Sequence, residues 1–355
     1  MYDASGLVKK FHDSHVALSR AQSQDMQKRR DANLDRVTSG LEELKKPSVA
    51  EVINQGGNAM QTMTQPPEGD EDTRYDIDVG VVFEKDSAKT PVTTKTWVRD
   101  AIAAKGKNFK TEPVVKKKCV RVVYNDGYQV DLPVLRRSLS SGAYIYEIAM
   151  GDEWVSSDPK AINKWFDDRV EKLSPGGNGG YQLRRVVRLV KYFSKVRAAR
   201  TGLKFPAGLV ATALAVECYQ PAKDRDDEAF YLTLKRIQDR SEYSPIVANG
   251  TVISDDKDIE RLKRLGDAAH DAVSSLGLLA ADDSEMTDEK ARKAWKRVFS
   301  HSFFDSETAQ KSIRESQLMA TPGVVLGLSP EERLSRARAK ADEVSDETRP
   351  WRGEF

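Results

Sequence analysis

The sequence predicts an α+β protein of two lobes, with a mixed sheet, a helical C-terminal lobe and a long N-terminal helix as a brace. Short apolar runs separated by turn signals fall between residues 75 and 135, as is typical of strands. From residue 157 onward, apolar residues recur every three or four positions, as is typical of helices packed on a core. The glycine-rich run 174–180 is the predicted seam between the lobes.

Length and composition narrow the class of protein. The 355 residues suffice for two lobes, and a formal net charge of +2 gives no whole-molecule field that would attract nucleic acid. No run approaches the ~18 apolar residues of a membrane span, and the N-terminus lacks a signal-peptide core. We therefore expect a cytoplasmic protein without membrane association. Two distant cysteines and four histidines argue against a zinc site or a disulfide.

Residues 5–46 have the pattern of an amphipathic helix, either one long helix or two. Apolar residues at roughly three- and four-residue spacing stand among many charged ones: Leu7, Phe11, Val16, Leu18, Met26, Leu34, Val37, Leu41 and Leu44. A stripe of this kind usually faces a core, so we interpret the segment as a brace across the molecule. A helix that binds a partner is the alternative.

The stretch 55–83 carries the candidate site. Gly56 and Gly57 precede a helix start, a pattern that lets the backbone approach a phosphate, although a glycine pair is more often a simple turn. A Pro- and acid-rich loop then leads to a strand headed by Asp76 and Asp78. Because side chains two residues apart leave the same face of a strand, both carboxylates point the same way. Asp is a poor strand former, so the pair predicts a divalent-cation site.

A third carboxylate is predicted in the hairpin that follows a helix at 93–105. Strands at 114–123 and 127–135 are joined by a turn at 124–127, and Asp131 lies between apolar residues of the second strand. Nearby Pro133 would also allow a solvent-facing acid on an edge strand. We favour the reading in which Asp131 joins Asp76 and Asp78, because three carboxylates on neighbouring strands can hold two Mg²⁺ ions about 4 Å apart.

Two basic segments have open interpretations. The run 116–118 is read as a solvated strand end, with a phosphate or nucleic-acid contact as the alternative. The predicted helix 181–199 combines an apolar stripe with cations that no acid balances, which indicates that some of them face an anionic ligand: Arg184, Arg185, Arg188, Lys191, Lys195 and Arg197.

The rest of the chain is predicted to be helical. Asp158 as N-cap and Pro159 as first residue start one helix. Further helices are expected at 205–219, 231–237, 255–276, 288–304 and from 329 towards 345. The expected division is a core lobe with the N-terminal helix at 1–175, a helical lobe that completes a nucleotide cleft at 176–345, and a flexible tail at 346–355.

The glycine pair, Asp76-Ile77-Asp78 and Asp131 together resemble the signature of polymerase-β-like nucleotidyltransferases. More narrowly, the sequence resembles the bacterial cyclic-oligonucleotide synthases (CD-NTases), relatives of cyclic GMP-AMP synthase that serve the CBASS anti-phage systems. This narrower resemblance spans roughly residues 50–220 and rests on the runs 55–63, 75–83, 157–159 and 183–192, with Trp154, Trp165 and Phe166.

The resemblance implies a Mg²⁺-dependent nucleotidyltransferase, with two ions and with Mn²⁺ as an alternative, that joins ATP and/or GTP into a cyclic di- or trinucleotide. Asp76, Asp78 and Asp131 are then the implied catalytic metal ligands, and Asp131 also assists deprotonation of the attacking ribose hydroxyl. A regulatory protein partner from the same defence system is implied. The zinc insertion of the animal DNA sensor has no counterpart here.

The implied triphosphate contacts are Gln55, Gly56, Gly57 and Lys191. The family often has Ser where this chain has Gly57, and a serine that commonly touches the triphosphate is missing from 204–208. Two other functions stay open: a template-independent transferase acting on RNA or protein, and a non-catalytic scaffold of the same fold. The chosen bases, the linkage and the product size are not predicted.

Overall fold

A computed structural model describes residues 1–70, 75–106, 109–126, 128–175, 181–240, 244–279 and 286–305. Seven strands form one mixed sheet: β1 (Glu51–Gln55), β2 (Tyr75–Glu84), β3 (Phe109–Val115), β4 (Cys119–Tyr124), β5 (Tyr128–Ser140), β6 (Ala143–Met150) and β7 (Glu153–Ser156). The sheet runs in the order β1-β2-β5-β4-β3, and β6 and β7 extend it from β5.

Helices form the other layer and the C-terminal lobe, as the α+β prediction requires. They are α1 (Ser5–Phe11), α2 (Arg20–Glu43), α3 (Gly56–Ala59), α4 (Pro91–Lys105), α5 (Pro159–Leu173), α6 (Gln182–Thr201), α7 (Gly208–Cys218), α8 (Asp226–Asp239), α9 (Asp256–Gly277) and α10 (Asp288–Phe299). A π-helical turn (His12–Val16), a 3₁₀ turn (Ser302–Phe304) and a small hairpin of β8 (Val247–Ala248) and β9 (Thr251–Val252) complete the described elements. The predicted helix at 329–345 and the tail 346–355 lie outside the described residues.

The parallel pair β2–β5 forms the centre of the sheet and sets the position of the acids. Asp78 lies opposite Asp131 in this pair, and β4 runs antiparallel on the other side of β5 with Arg121 opposite Asp131. Because β5 is paired on both sides, the edge-strand reading of Asp131 is wrong. Pro133, which has no N–H to donate, lies where the β2–β5 pairing skips from Asp131 to Val134.

Two strand predictions need correction. The single strand predicted at 114–123 is two strands, β3 and β4, which turn at the basic run 116–118. Buried Lys95 on α4 holds this turn, since its Nζ donates to the carbonyls of Lys116 (3.2 Å) and Lys117 (3.0 Å) and to that of Gly151 (2.9 Å). Strands β6 and β7 were not predicted, and they place that third carbonyl in the turn between them.

The N-terminal segment forms two helices that contact different lobes. Phe11 of α1 packs among aromatic side chains of the helical lobe, with ring centroids 4.9 Å from Phe299 and 4.6 Å from Phe304. The chain then breaks, and a capping box between Ser19 and Gln22 starts α2. Helix α2 packs along α4 on the sheet. The segment therefore bridges the sheet and the helical lobe.

The helical lobe is built around α6 and α7, whose apolar faces are buried. Side chains such as Phe193, Leu214, Phe230 and Trp295 share one apolar cluster with residues of α1 and α5. Within the described ranges, none of the helices combines the length and apolar character that a membrane span needs. One edge of α6 stays polar, and this edge faces the acid-bearing end of the sheet.

Candidate active site

The three predicted carboxylates converge at one end of the β2–β5 pair. Each of Asp76, Asp78 and Asp131 offers one carboxylate oxygen, and these oxygens lie within 4.8 Å of one another. Asp131 is buried, Asp78 is half-buried and Asp76 keeps solvent-exposed surface. The period of two along β2 and the parallel register to β5 put all three on one face.

The acids repel one another. Burial, followed by the charges of Asp76 and Asp131, raises the pKa of Asp78 to about 7. Burial and the charge of Asp131 also raise the pKa of Asp76, although part of its surface is open to solvent, because the cleft walls crowd the carboxylate. The cluster therefore carries negative charge that the described residues do not fully balance. All-oxygen donors in such a field fit a hard divalent cation, so these residues could hold a metal ion.

Two side chains that sequence reasoning missed orient the acids. Arg121 grips Asp131 with two bonds, Nε to Oδ1 at 2.8 Å and Nη2 to Oδ2 at 2.7 Å. Gln129 Nε2 donates to Asp76 Oδ1 at 3.1 Å. A bidentate arginine fixes the plane of a carboxylate and leaves other lone pairs free for a ligand. Only the strand register, which places Arg121 opposite Asp131, reveals this pairing.

The glycine pair lies directly beside the acids. Gly56 has a φ of +61°, and a Cβ at this position would come within 2.5 Å of Asp78 Oδ2. Both the left-handed backbone and the close approach therefore require glycine. A Cβ on Gly57 would lie 3.1 Å from Lys191 Nζ and 3.2 Å from Met63 Cγ. The structure thus brings the glycine turn, the acids and Lys191 together.

Gln55 occupies a different environment from the two glycines. It pairs with Asp78 in the β1–β2 register, but its amide Nε2 lies against Gly80, where a Cβ would be only 2.4 Å away. Within the described part of the chain this buried nitrogen has no hydrogen-bond partner. Its role as a triphosphate contact stays a prediction.

Three cations on one face of α6 contact the segment that follows α3. Lys191 Nζ donates to the Thr62 carbonyl at 2.7 Å, and Lys195 Nζ donates to the Thr64 carbonyl at 3.3 Å. Arg188 donates to the carbonyl of Gln61. Burial, together with neighbouring cations, lowers the pKa of Lys191 to about 7. These three cations therefore line the cleft opposite the acids. The premise that no acid balances the helix is wrong for Arg184 and Arg185, which pair with Asp167 and Asp226.

The N-terminus of α7 also faces this cleft. A Cβ on Gly208, the first residue of α7, would lie 3.8 Å from Lys191 Cε. Among the described residues no side chain caps this helix, so the N–H groups of its first turn point out of the helix without such a partner. The segment 204–208 has no serine hydroxyl. The first turn of α7, which begins at Gly208, presents backbone N–H groups beside Lys191 instead.

A family profile matches the acid-bearing segment. The profile described as "Cyclic GMP-AMP synthase DncV-like, nucleotidyltransferase domain" matches residues 50–135, which include the glycine pair and all three aspartates. Residues 50–135 are similar to a DncV-like nucleotidyltransferase domain. The predicted resemblance to bacterial relatives of cyclic GMP-AMP synthase is confirmed. The family assignment covers the sheet, from β1 into β5, and the cations of α6 lie outside the matched segment.

Individual relatives of the DncV-like domain extend the comparison. A "Cyclic GMP-AMP synthase" of Escherichia albertii is 25% identical over 258 residues, which cover 70% of this chain and 54% of the relative. The chain therefore spans about half the length of this curated relative.

Solved structures share the fold. Vibrio cholerae DncV in complex with nonhydrolyzable GTP has a TM-score of 0.65 at 14% identity, and the match covers 86% of this chain and 98% of DncV. CdnG of Bradyrhizobium diazoefficiens in complex with GTP has a TM-score of 0.66 at 14% identity, covering 88% and 98% of the two chains. The polymerase-β-like α+β fold predicted for the DncV-like domain and its helical lobe is confirmed.

Proposed function

We propose that the protein is a metal-dependent nucleotidyltransferase that joins ATP and/or GTP into a cyclic di- or trinucleotide. The observation that carries this proposal is the convergence of three carboxylates beside a glycine turn and an opposing lysine. The matched domain family supports the transfer chemistry. The complex of DncV with a linear intermediate, 5′ pppA(3′,5′)pG, supports nucleotide joining as the reaction of a relative with this fold.

The acids would hold the ions and position the attacking hydroxyl. Asp76, Asp78 and Asp131 would hold two Mg²⁺ ions, with Mn²⁺ as the alternative. When bound, the ions supply Lewis-acid activation of the hydroxyl and stabilisation of the leaving pyrophosphate. Arg121 would keep Asp131 oriented towards the cluster, where its carboxylate can accept the hydroxyl proton. The exposed surface of Asp76 leaves that side of the cluster open to substrate.

The opposite wall would hold the triphosphate. Gly56 and Gly57 let phosphate oxygens approach the backbone closely, and Lys191 stands next to them as the neutralising charge. The uncapped first turn of α7 would add N–H donors and the positive end of a helix dipole. Backbone groups would thereby replace the two hydroxyl contacts that this sequence lacks. We place Gln55 at the edge of this triphosphate-binding group of residues.

The setting of the activity is part of the proposal. We place it in the cytoplasm, where ATP and GTP are available, and in anti-phage signalling of the CBASS type with a regulatory protein partner. The division into a core lobe at 1–175 and a helical lobe at 176–345 fits this function, because Lys191 of α6 would meet the triphosphate from across the cleft.

One incubation tests the activity. Purified protein is mixed with labelled NTPs and Mg²⁺ and then treated with phosphatase; a resistant product that disappears in Asp76→Ala is the expected result. Asp168→Ala serves as the matched control, since Asp168 is an exposed acid paired with Lys164 on α5. Label transferred only to added RNA or protein would indicate a transferase of that kind instead. No incorporation with any metal would contradict the proposal and favour a scaffold.

A further inference from the structure

The turn after α3 contains a residue in an unfavourable conformation. Gln61 has a φ of +54°, in the left-handed region that favours glycine. Gln61 N donates to Asn58 O at 3.2 Å and Thr62 N donates to Gly57 O at 2.8 Å. These two bonds form a Schellman motif, in which the left-handed position is usually glycine. Something other than the residue type must hold Gln61 in place.

Arg188 supplies that hold. Its Nε and Nη2 both donate to the Gln61 carbonyl, at 3.0 Å and 2.6 Å. Because two donors of one guanidinium bind the same backbone oxygen, they fix the orientation of the peptide group between Gln61 and Thr62. The Gln61 side chain is exposed, so α6 binds this residue through its backbone carbonyl.

The N-terminal π-helical turn supports Arg188 from behind. Asp13 Oδ1 lies 2.8 Å from His12 Nδ1, so this ring nitrogen carries the proton and Nε2 is left as an acceptor. That Nε2 lies 3.5 Å from Arg188 Nη1. Irregular helical turns of this type often occur at functional sites. A continuous chain of polar contacts thus runs from Asp13 to the turn after α3.

The charge balance around Arg188 is costly for a purely structural residue. Among the described residues no carboxylate forms an ion pair with it, and burial plus the nearby charges of Arg184 and Arg185 lower its pKa to about 10. Partial burial of a cation without an acid partner costs free energy of folding, so stability alone does not explain Arg188. The turn that it holds, by contrast, contains Gly57 and Thr62, and the Thr62 carbonyl accepts the bond from Lys191.

We propose that Arg188 is a positioning residue that keeps Gln61 left-handed and thereby holds Gly57, Thr62 and Lys191 in the arrangement that receives the triphosphate. This inference rests on the proposed function of the cleft. It assigns Arg188 no contact with substrate. Its action passes through the backbone of residues 61–62.

The test combines two variants with opposite effects on the turn. Arg188→Gln removes the grip, and Gln61→Gly removes the need for it because glycine adopts a positive φ freely. We expect Arg188→Gln to raise KM for NTP about tenfold, the size expected from releasing one left-handed residue, with kcat changed much less. The double variant should recover most of the loss. Arg188→Lys keeps the charge but not the paired donors, and should resemble Arg188→Gln.

A readout independent of nucleotide accompanies the kinetics. Hydrogen exchange of the amides at 61–64 should speed up in Arg188→Gln and slow again in the double variant. Arg184→Gln is the control for lost charge on the same helix, since Arg184 pairs with Asp167 instead of the turn. A raised KM without rescue by Gln61→Gly, or normal behaviour of Arg188→Lys, would overturn the inference. Altered exchange in a protein that binds no nucleotide would count against the proposed function and leave the positioning role standing.

Discussion

Gly56 is the residue at which the backbone and the acids meet most closely. An alanine here would have both a positive φ and a Cβ within 2.5 Å of Asp78 Oδ2. Gly202, at the end of α6, has a similar φ of +68°, and apart from its own chain neighbours no described residue lies within 4 Å of its Cβ position. A comparison of substitutions at the two glycines therefore separates the effect of backbone strain from the effect of crowding in the site.

We expect Gly56→Ala and Gly202→Ala each to lower the free energy of unfolding by about 1–2 kcal/mol, because both force alanine into the left-handed region. Only Gly56→Ala should also reduce NTP turnover, by about a hundredfold, since it displaces Asp78. Chemical denaturation and steady-state kinetics measure the two effects. Equal activity of both variants would mean that Asp78 adapts without loss.

Residue-level features of the site differ in how visible they are in the sequence. The Asp76–Asp78 pair and the glycine pair are local patterns, and a period of two or a turn preference suffices to read them. The roles of Arg121 and Gln129 cannot be read from such local patterns, because strand register determines that they contact Asp131 and Asp76. The left-handed Gln61 was equally hidden, since its sequence lacks the glycine that marks such a turn.

Among the elements, α4 stabilises the sheet through one buried side chain. Lys95 Nζ donates to three carbonyls in two turns, those of Lys116, Lys117 and Gly151. Leaving such acceptors without a donor costs about 1–3 kcal/mol each in buried surroundings. The ammonium group thus fastens the β3–β4 turn to the β6–β7 turn.

We expect Lys95→Met to lower the free energy of unfolding by about 2–4 kcal/mol, with normal KM for NTP at a temperature where the variant is folded. Lys116→Met, which changes an exposed lysine in the same turn, should have almost no effect. Urea denaturation of both variants checks this. A loss below 1 kcal/mol in Lys95→Met would show that water replaces the lysine.

The sequence predicted an element correctly where a local signal marks its start. The prediction failed where contacts with distant residues determine the boundaries of a strand. Asp158 accepts from Ala161 N at 2.9 Å and Pro159 opens α5, as their sequence indicated. The division of 114–123 into β3 and β4 depends on Lys95, which lies some twenty residues earlier in the chain. No turn signal at 116–118 announces it, since three lysines are not typical turn residues.

For the whole molecule, the N-terminal segment meets the last described turn at a group of histidines. The rings of His15 and His301 lie 4.4 Å apart, next to Phe11 and Phe303. Burial lowers the pKa of His15, His301 and the neighbouring His12, and that of His15 falls to about 4. Protonation of these rings in the folded state is therefore unfavourable.

We expect these histidines to lower the stability of the protein as pH falls from about 6.5 towards 4, whereas the raised pKa of Asp78 acts in the opposite direction. The unfolded chain binds protons at its histidines in this range while the folded chain does not, so the free energy of unfolding rises with pH. His15→Gln should flatten the slope of Tm against pH between 7 and 5. Because other groups titrate as well, the difference between wild type and variant is the measured quantity. Identical slopes would contradict the assignment.

The parallel register of β2 and β5 also determines where the chain can change in length. The connection between these strands consists of α4 and the β3–β4 hairpin. The loop 85–90 that precedes α4 can therefore change in length while the acids stay in place, whereas Lys95 fixes the turn at 116–118. One extra residue between Asp76 and Asp78 would instead turn one carboxylate to the opposite face of the sheet. Changes in length are therefore tolerated in the loop before α4 and excluded at the head of β2.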